Sequence, residues 1–207
     1  MMSNFKLSLK SLGVSFTSES IDKLRFYIGR VLLFGARFNL VSSNDRNFDA
    51  VLLHALDSMT GLPIIRDNNP HQVLDVGSGA GFPGIILALF DNSRKYILLE
   101  RSNKKATFLR MIILELDLAN VKVLEHDVEK EQNKYEFITI RAFRDIRKYA
   151  SILKLILEDR GLIMAYKGKF DNIKFEISHI KGLFNNIEIK SSTISGGKER
   201  NFLLLYK

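Results

Sequence analysis

The chain has 207 residues, 46% of them hydrophobic, with a formal net charge of +8 and no cysteine. That length carries one substantial core plus an appended element and is too short for two ordinary domains. The missing thiols exclude disulfides, thiol nucleophiles and thiolate zinc or iron–sulfur sites, while the positive balance permits a polyanionic partner and equally a surface kept basic for solubility.

Residues 1–16 lack the continuous apolar core of a secretory signal, and no later stretch approaches the roughly 18 uninterrupted apolar residues of a membrane span. A soluble, cytoplasmic protein is expected. His54, His71, His126 and His179 are scattered without ligand spacing, so no metal site is expected. From Ser18 to Leu62 apolar residues recur at helical spacing: Ile21, Leu24, Tyr27, Ile28, Val31 and Leu32, then Val51, Leu52, Ala55, Leu56 and Met59. This predicts two or three helices, with Ser18 or Ser20 as a cap. Residues 61–72 hold Pro63 and Pro70 around a run of Asp and Asn, which predicts a linker between a helical extension, 1–70, and a main domain, 71–207.

Past residue 72 short apolar strands alternate with helical stretches. Strands are predicted over 73–77, 96–100, 121–125, 137–141 and 162–167, with helices over 103–118 and 145–157 among them. Repeated strand-then-helix means a parallel sheet covered on both faces. Two further strands, 186–190 and 202–206, are joined without a helix and are expected to pair antiparallel. The total is seven.

The first of these strands runs straight into GSGAGFPG, four glycines within eight residues. Glycines at a strand end let the backbone approach a ligand closely where the next helix begins, and open parallel sheets bind ligands beyond the carboxyl ends of their strands. A literal G-x-G-x-x-G at 79–84 suggests a dinucleotide. Counted from Gly77, however, the pattern requires glycine at position 82, which is Phe82, and the literal match puts Pro83 inside the turn. Asp75 places a carboxylate near the turn, where it repels a pyrophosphate and attracts an ammonium and a sulfonium. Glu100 ends the second strand and Asp127 and Glu129 follow the third; a carboxylate such as Glu100 can accept both ribose hydroxyls. Together these point to S-adenosylmethionine held by Asp75, Gly77, Gly79, Gly81 and Glu100.

The segments LDVGSGAGFPGI (74–85), LLERSNKKATFLR (98–110), IRAF (140–143), YKG (166–168) and the C-terminal KERNFLLLYK, with RFNL (37–40) and HALDS (54–58) before them, carry a family resemblance. The sequence resembles the bacterial guanine-N7 methyltransferases of small-subunit ribosomal RNA, also called the glucose-inhibited division protein B family, over residues 20 to 207. The resemblance implies a Rossmann-like class I methyltransferase: a seven-stranded, mostly parallel α/β sheet with an antiparallel C-terminal hairpin and an N-terminal helical extension. It implies methylation of one guanine at N7 in 16S ribosomal RNA, free or in the small ribosomal subunit; separately, nothing in the sequence resembles a dedicated dimerisation helix, so a monomer is expected. Carried over by position, Gly77 and Phe82 fall on cofactor contacts, Val128 and Glu129 on the pair beside the adenine, and Arg141 on the arginine after the fourth strand. Phe34-Gly35, Val41, Ile140 and Asn201 depart from the family pattern, and Glu100 stands where aspartate is usual.

Guanine N7 carries an exposed lone pair, so its methylation needs orientation rather than a general base. Arg141 and Lys167, at the ends of the fourth and fifth strands, are the candidates for holding guanine O6 or a phosphate. Arg101, Lys104, Lys105 and Arg110 cluster at the helix after the second strand, a solvated face or a phosphate-binding one. Phe143 is a candidate to stack on a flipped base, or a core residue. His54 and Asp57, three apart on one helix face, either pack the extension onto the main domain or line the RNA entrance. A methyltransferase of a small acidic metabolite, a non-catalytic RNA-binding assembly factor and, more distantly, an oxidoreductase are the competing readings.

Overall fold

The computed structural model describes residues 2–142, 145–168, 170–194 and 198–207. Four helices precede the sheet: α1 (Met2–Ser11), α2 (Ser18–Phe38), α3 (Phe48–Met59) and α4 (Leu62–Asn68). Of the two or three helices expected between 18 and 62, two form, α2 and α3. The cap of α2 is Thr17, one residue earlier than expected, and Ser20 takes the reciprocal role. Thr17 Oγ1 accepts the Ser20 N–H at 3.1 Å while Ser20 Oγ accepts the Thr17 N–H at 3.0 Å, which satisfies two donors that a helix start otherwise leaves orphaned. Helix α1, unforeseen, buries Phe5 and Leu9.

The predicted linker at 61–72 is a correction. Its Pro63 stands in the first turn of α4, where a proline's missing N–H costs nothing, and Leu62, Ile64 and Ile65 are buried. Each such side chain contributes roughly 1.5–3 kcal/mol of hydrophobic stabilisation, so this segment belongs to the core. The run Phe48–Asn68 is long and apolar enough to cross a membrane by length and composition, and 67% of its window is buried inside the protein.

The strands are β1 (Gln72–Val76), β2 (Lys95–Leu99), β3 (Val121–Leu124), β4 (Tyr135–Arg141), β5 (Leu157–Lys167), β6 (Asn186–Ile194) and β7 (Lys198–Tyr206), alternating with α5 (Gly84–Phe90), α6 (Asn103–Glu115), α7 (Ile146–Leu155) and α8 (Phe170–Ile180). The sheet order is β3-β2-β1-β4-β5-β7-β6. The first five strands pair in parallel, and β7 pairs antiparallel with both β5 and β6. The seven expected strands are all present. The hairpin is longer than expected, and α8, absent from the sequence reading, fills the β5-to-β6 connection.

Strand residues point alternately to the two faces, and the two cores follow that parity. On one face Val73, Leu98, Phe137, Met164, Tyr166, Phe202 and Leu204 pack with α1 to α6. On the other Leu74, Ile138, Ile140, Ala165, Leu203 and Leu205 pack with residues of α7 and α8. The N-terminal helices therefore share a core with one face of the sheet. The sheet order changes direction where β1 is flanked by β2 and β4, and the carboxyl ends of these strands form the crevice.

Candidate active site

The turn between β1 and α5 has the conformation its glycines permit. Gly77, Gly79 and Gly81 have φ of 74°, 60° and 103°, angles that side-chain-bearing residues adopt only under strain. Gly77 and Ser78 donate backbone N–H groups to Leu99 O at 2.8 and 3.2 Å, and Gly81 N–H reaches Ser78 O at 2.7 Å. Glu100, 6% exposed, straps the turn to β2: its carboxylate accepts Gly79 N–H at 2.9 Å and Ser102 N–H at 2.8 Å. Each oxygen keeps a lone pair for a second donor, as a diol-binding carboxylate requires.

Asp75 requires a correction. The sequence suggests a carboxylate offered directly to the ligand, but Asp75 is 1% exposed and lies under the turn. It accepts the Gly84 N–H at 3.1 Å and the Thr139 hydroxyl at 3.2 Å, tying β1 to α5 and β4. Burial pushes its carboxyl up to about 6, against the opposing hydrogen bonds from Ser78, Gly84 and Thr139. Its charge reaches a ligand only through the turn. Gly84, the last glycine of the literal pattern, serves packing: a Cβ there meets Asp75 Oδ2 at 2.7 Å and runs into Leu98.

The outer wall comes from α2 and α3. Tyr27, fully buried, donates its hydroxyl to Ala80 O at 2.7 Å, and its ring meets Phe82 edge-on at 5.5 Å. His54 packs on the same Phe82 at 5.6 Å, and the Arg141 guanidinium lies 5.6 Å over it. Arg141 then reaches back to α3, with 2.9 Å to Asp57 Oδ2, 2.9 Å to His54 Nδ1 and 3.3 Å to both His54 O and Ser58 Oγ. His54 Nε2 stands 3.4 Å from Asp45. Burial first, and then the Arg141 charge, lower the His54 pKa. A neutral ring accepting from Arg141 at Nδ1 and donating toward Asp45 from Nε2 satisfies both nitrogens. Of the two roles weighed for His54 and Asp57, joining the helical segment to the sheet is the one these contacts serve.

Lys167 is not brought to this cluster. Adjacent to Tyr166, which donates to Ser58 O at 2.7 Å on the α3 face, it falls on the opposite parity and pairs with Glu176 of α8 at 2.5 Å. The residue that joins Arg141 is Arg200 of β7, whose Nε contacts Asp57 Oδ1. It lies within the C-terminal segment KERNFLLLYK, yet no sequence pattern singled it out. The signal was its spacing from Phe202 and Leu204, which share its face.

Val128 is buried and begins a short 3-10 turn after β3, while Glu129 is exposed with its N–H on Asp127 Oδ1 at 3.4 Å. Of the basic cluster, Arg110 is paired with Glu125 at 2.6 Å and Arg101 with Asp127 at 3.3 Å. Lys104 is exposed and Lys105 half-buried at the start of α6, and among the described residues neither has an ion pair. Phe143 lies outside the described residues. A groove of about 970 Å³, lined by Ser15, Lys23, Arg66, Ser93 and Asn120 among others, opens at the amino ends of β2 and β3, away from this crevice. No group of three or more His, Asp or Glu placed to hold a metal occurs among the described residues.

Residues 20–203 match the family model described as rRNA small subunit methyltransferase G. The chain belongs to this family. It is 82% identical to the ribosomal RNA small subunit methyltransferase G of Borrelia turicatae over 207 residues, all of both chains. It is 32% identical to that of Chromobacterium violaceum over 167 residues, 80% of this chain and 78% of the relative. Among solved structures, an O-methyltransferase from Bacillus cereus in complex with SAH aligns with a TM-score of 0.57 at 16% identity, covering 87% of this chain and 90% of the other. A precorrin-6y C5,15-methyltransferase from Geobacter metallireducens gives 0.57 at 14% identity, covering 73% and 88%. These two likenesses show the fold, that of Rossmann-like methyltransferases.

As a member of the methyltransferase G family the chain is a methyltransferase, and the crevice fits S-adenosylmethionine as the methyl donor. The bare Cα of Gly79 has only Gly77 O within 4 Å of where a Cβ would stand, so backbone is open to close approach. Glu100 offers a paired acceptor for a ribose, and the turn itself brings no cationic side chain to oppose an ammonium group.

Proposed function

We propose that this methyltransferase transfers the methyl group of S-adenosylmethionine to N7 of a guanine in 16S ribosomal RNA, free or within the small subunit, acting in the cytoplasm as a monomer. Bound at the turn, the cofactor supplies the electrophilic methyl. Gly77, Gly79, Gly81 and Phe82 form its bed, Glu100 takes its ribose, and Val128 and Glu129 flank its adenine. Asp75 holds the bed from beneath. The observation that carries the reading is the joining of this glycine turn, through Phe82, to a half-buried arginine cluster on the same rim.

The chemistry matches those residues. N7 attacks with its own lone pair, so no proton has to be taken first, and His54 has both nitrogens engaged. What the site supplies is alignment, which is worth roughly 7–11 kcal/mol when geometry is good. Arg141 orients the target, Lys104 and Lys105 contact phosphates at the start of α6, and Lys167 acts through Glu176 as a brace for α8. Residues 1–70 form the helical part of the enzyme and 71–207 the methyltransferase domain.

Incubation with tritiated S-adenosylmethionine and small subunits or 16S RNA from a strain lacking the enzyme tests this. Label in 7-methylguanine is expected; label in another base, or in no RNA, refutes the assignment.

A further inference from the structure

One carboxylate on α3 holds two arginines. Asp57 is 8% exposed at its side chain, with Arg141 (13%) on Oδ2 and Arg200 (23%) on Oδ1. Two guanidinium groups face this one carboxylate, and His54, the nearest other titratable group on α3, is held toward its neutral form. Asp45 beyond it is turned to His54 and Ser42. Asp75, buried beneath the turn, also feels the Arg141 charge, so nearby carboxylates balance the two arginines, and what separates them is which of their nitrogens are occupied.

The two arginines differ in how they are spent. Arg141 gives NH1 and NH2 to His54, Ser58 and Asp57 and lies over Phe82. Arg200 meets Asp57 through Nε in an ion-pair contact that lacks hydrogen-bond geometry, and among the described residues its terminal NH1 and NH2 groups donate to no protein acceptor. Its place is fixed by register. Asn201 pairs with Lys167 at the carboxyl end of β5, so Arg200 stands just past that end on the face of Tyr166 and Phe202.

We propose that Arg200 is a substrate-contacting residue whose terminal nitrogens take a phosphate of the RNA strand carrying the target nucleotide, with Asp57 as the positioning residue that aims it. Two free terminal nitrogens form a guanidinium fork, which suits phosphate oxygens better than a neutral base edge. This rests on the RNA methyltransferase reading above. It goes beyond that reading by assigning Arg200, in the position where the strand-end pattern suggested Lys167.

The test uses full-length R200M and R200K proteins. Removing Arg200 leaves Asp57 paired one-to-one with Arg141, so folding is retained, checked by urea unfolding and by S-adenosylhomocysteine affinity. Binding to a 16S fragment is measured across salt concentrations. R200M is expected to weaken RNA binding about tenfold at moderate salt and to lower the slope of log K against log[salt] by roughly 0.7, the value for one phosphate on a single strand. R200K is expected to recover the slope and only part of the affinity. Unchanged RNA affinity overturns the proposal, and so does weaker affinity with an unchanged slope, which marks a base contact. Loss of S-adenosylhomocysteine binding in R200M also overturns it, by marking a structural role. Failure of the wild-type protein to label guanine would sink the activity reading separately, since this experiment reads binding alone.

Discussion

Replacing Asp75 by Asn should raise stability near neutral pH while weakening the cofactor. Asp75 is buried beneath the turn, and its carboxyl titrates near 6 in the folded protein against 3.8 for an unhindered aspartate. A folded-state pKa above the unfolded one means the native state binds the proton more tightly, so stability is greatest below pH 3.8 and is lost as pH rises toward 6. At about 1.4 kcal/mol per unit the loss amounts to ~3 kcal/mol by pH 7. Asparagine has no such titration. It can still accept from Gly84 N–H through its carbonyl and donate to Thr139 Oγ1 through its amide, so the two contacts survive. Urea unfolding of both proteins between pH 4 and 7.5 should show the D75N advantage growing by ~3 kcal/mol, concentrated between pH 4 and 6, with other titrations cancelling in the difference. Calorimetry at pH 7.5 should show weakened S-adenosylmethionine, whose sulfonium is cationic, and a smaller loss for neutral-sulfur S-adenosylhomocysteine. A stability difference that is flat across this range refutes the linkage.

Three further outcomes follow from the same geometry. Gly84→Ala forces a Cβ against Asp75 Oδ2 and Leu98 and should cost about 1–3 kcal/mol as overpacking, seen as a lower urea midpoint at constant slope. Tyr27→Phe removes the buried donor to Ala80 O; leaving that carbonyl unpaired costs about 1–3 kcal/mol, and S-adenosylhomocysteine should bind less tightly because the turn loses its outer tie. Arg141→Met should lower kcat about a hundredfold, because Phe82 and His54 lose the guanidinium that holds them in place and a small misplacement costs that much, whereas Lys167→Met should change it less than tenfold, because Lys167 faces α8; equal losses in single-turnover assays would contradict the assignment of faces.

The glycine turn was legible in the sequence because its constraint is local: positive φ at Gly77, Gly79 and Gly81 needs glycine whatever surrounds it. The strands were legible for the same reason, each a short apolar run ended by turn residues. The segment 61–72 was misread because proline signals both a linker and a first helical turn, and only the burial of Leu62, Ile64 and Ile65 separates the two. Asp75 was placed correctly along the chain but not in depth; nothing in LDVG tells that α5 comes close enough over β1 for Gly84 to hydrogen-bond it. Arg141 and Lys167 both end strands, and sequence proximity to the rim made them look equivalent. Alternation distinguishes them once Tyr166 is assigned to the helical face. Arg200 needed more, since its position depends on the β5–β7 register and on α3 presenting Asp57, two tertiary facts with no local signature.

The helical segment is thus part of the site rather than an attachment to it. Tyr27 holds the turn at Ala80, His54 and Tyr27 flank Phe82, and Asp57 aims one arginine from β4 and one from β7. The cofactor turn and the substrate rim meet at Arg141, which touches Phe82 on one side and Asp57 on the other. Asp57 is the member whose loss would cost most, because it would leave two partly buried guanidiniums without their carboxylate. One set of contacts therefore joins α3 to the sheet and holds Arg141 against Phe82, so residues that elsewhere would be read as structural stand where the glycine turn meets the rim of the sheet.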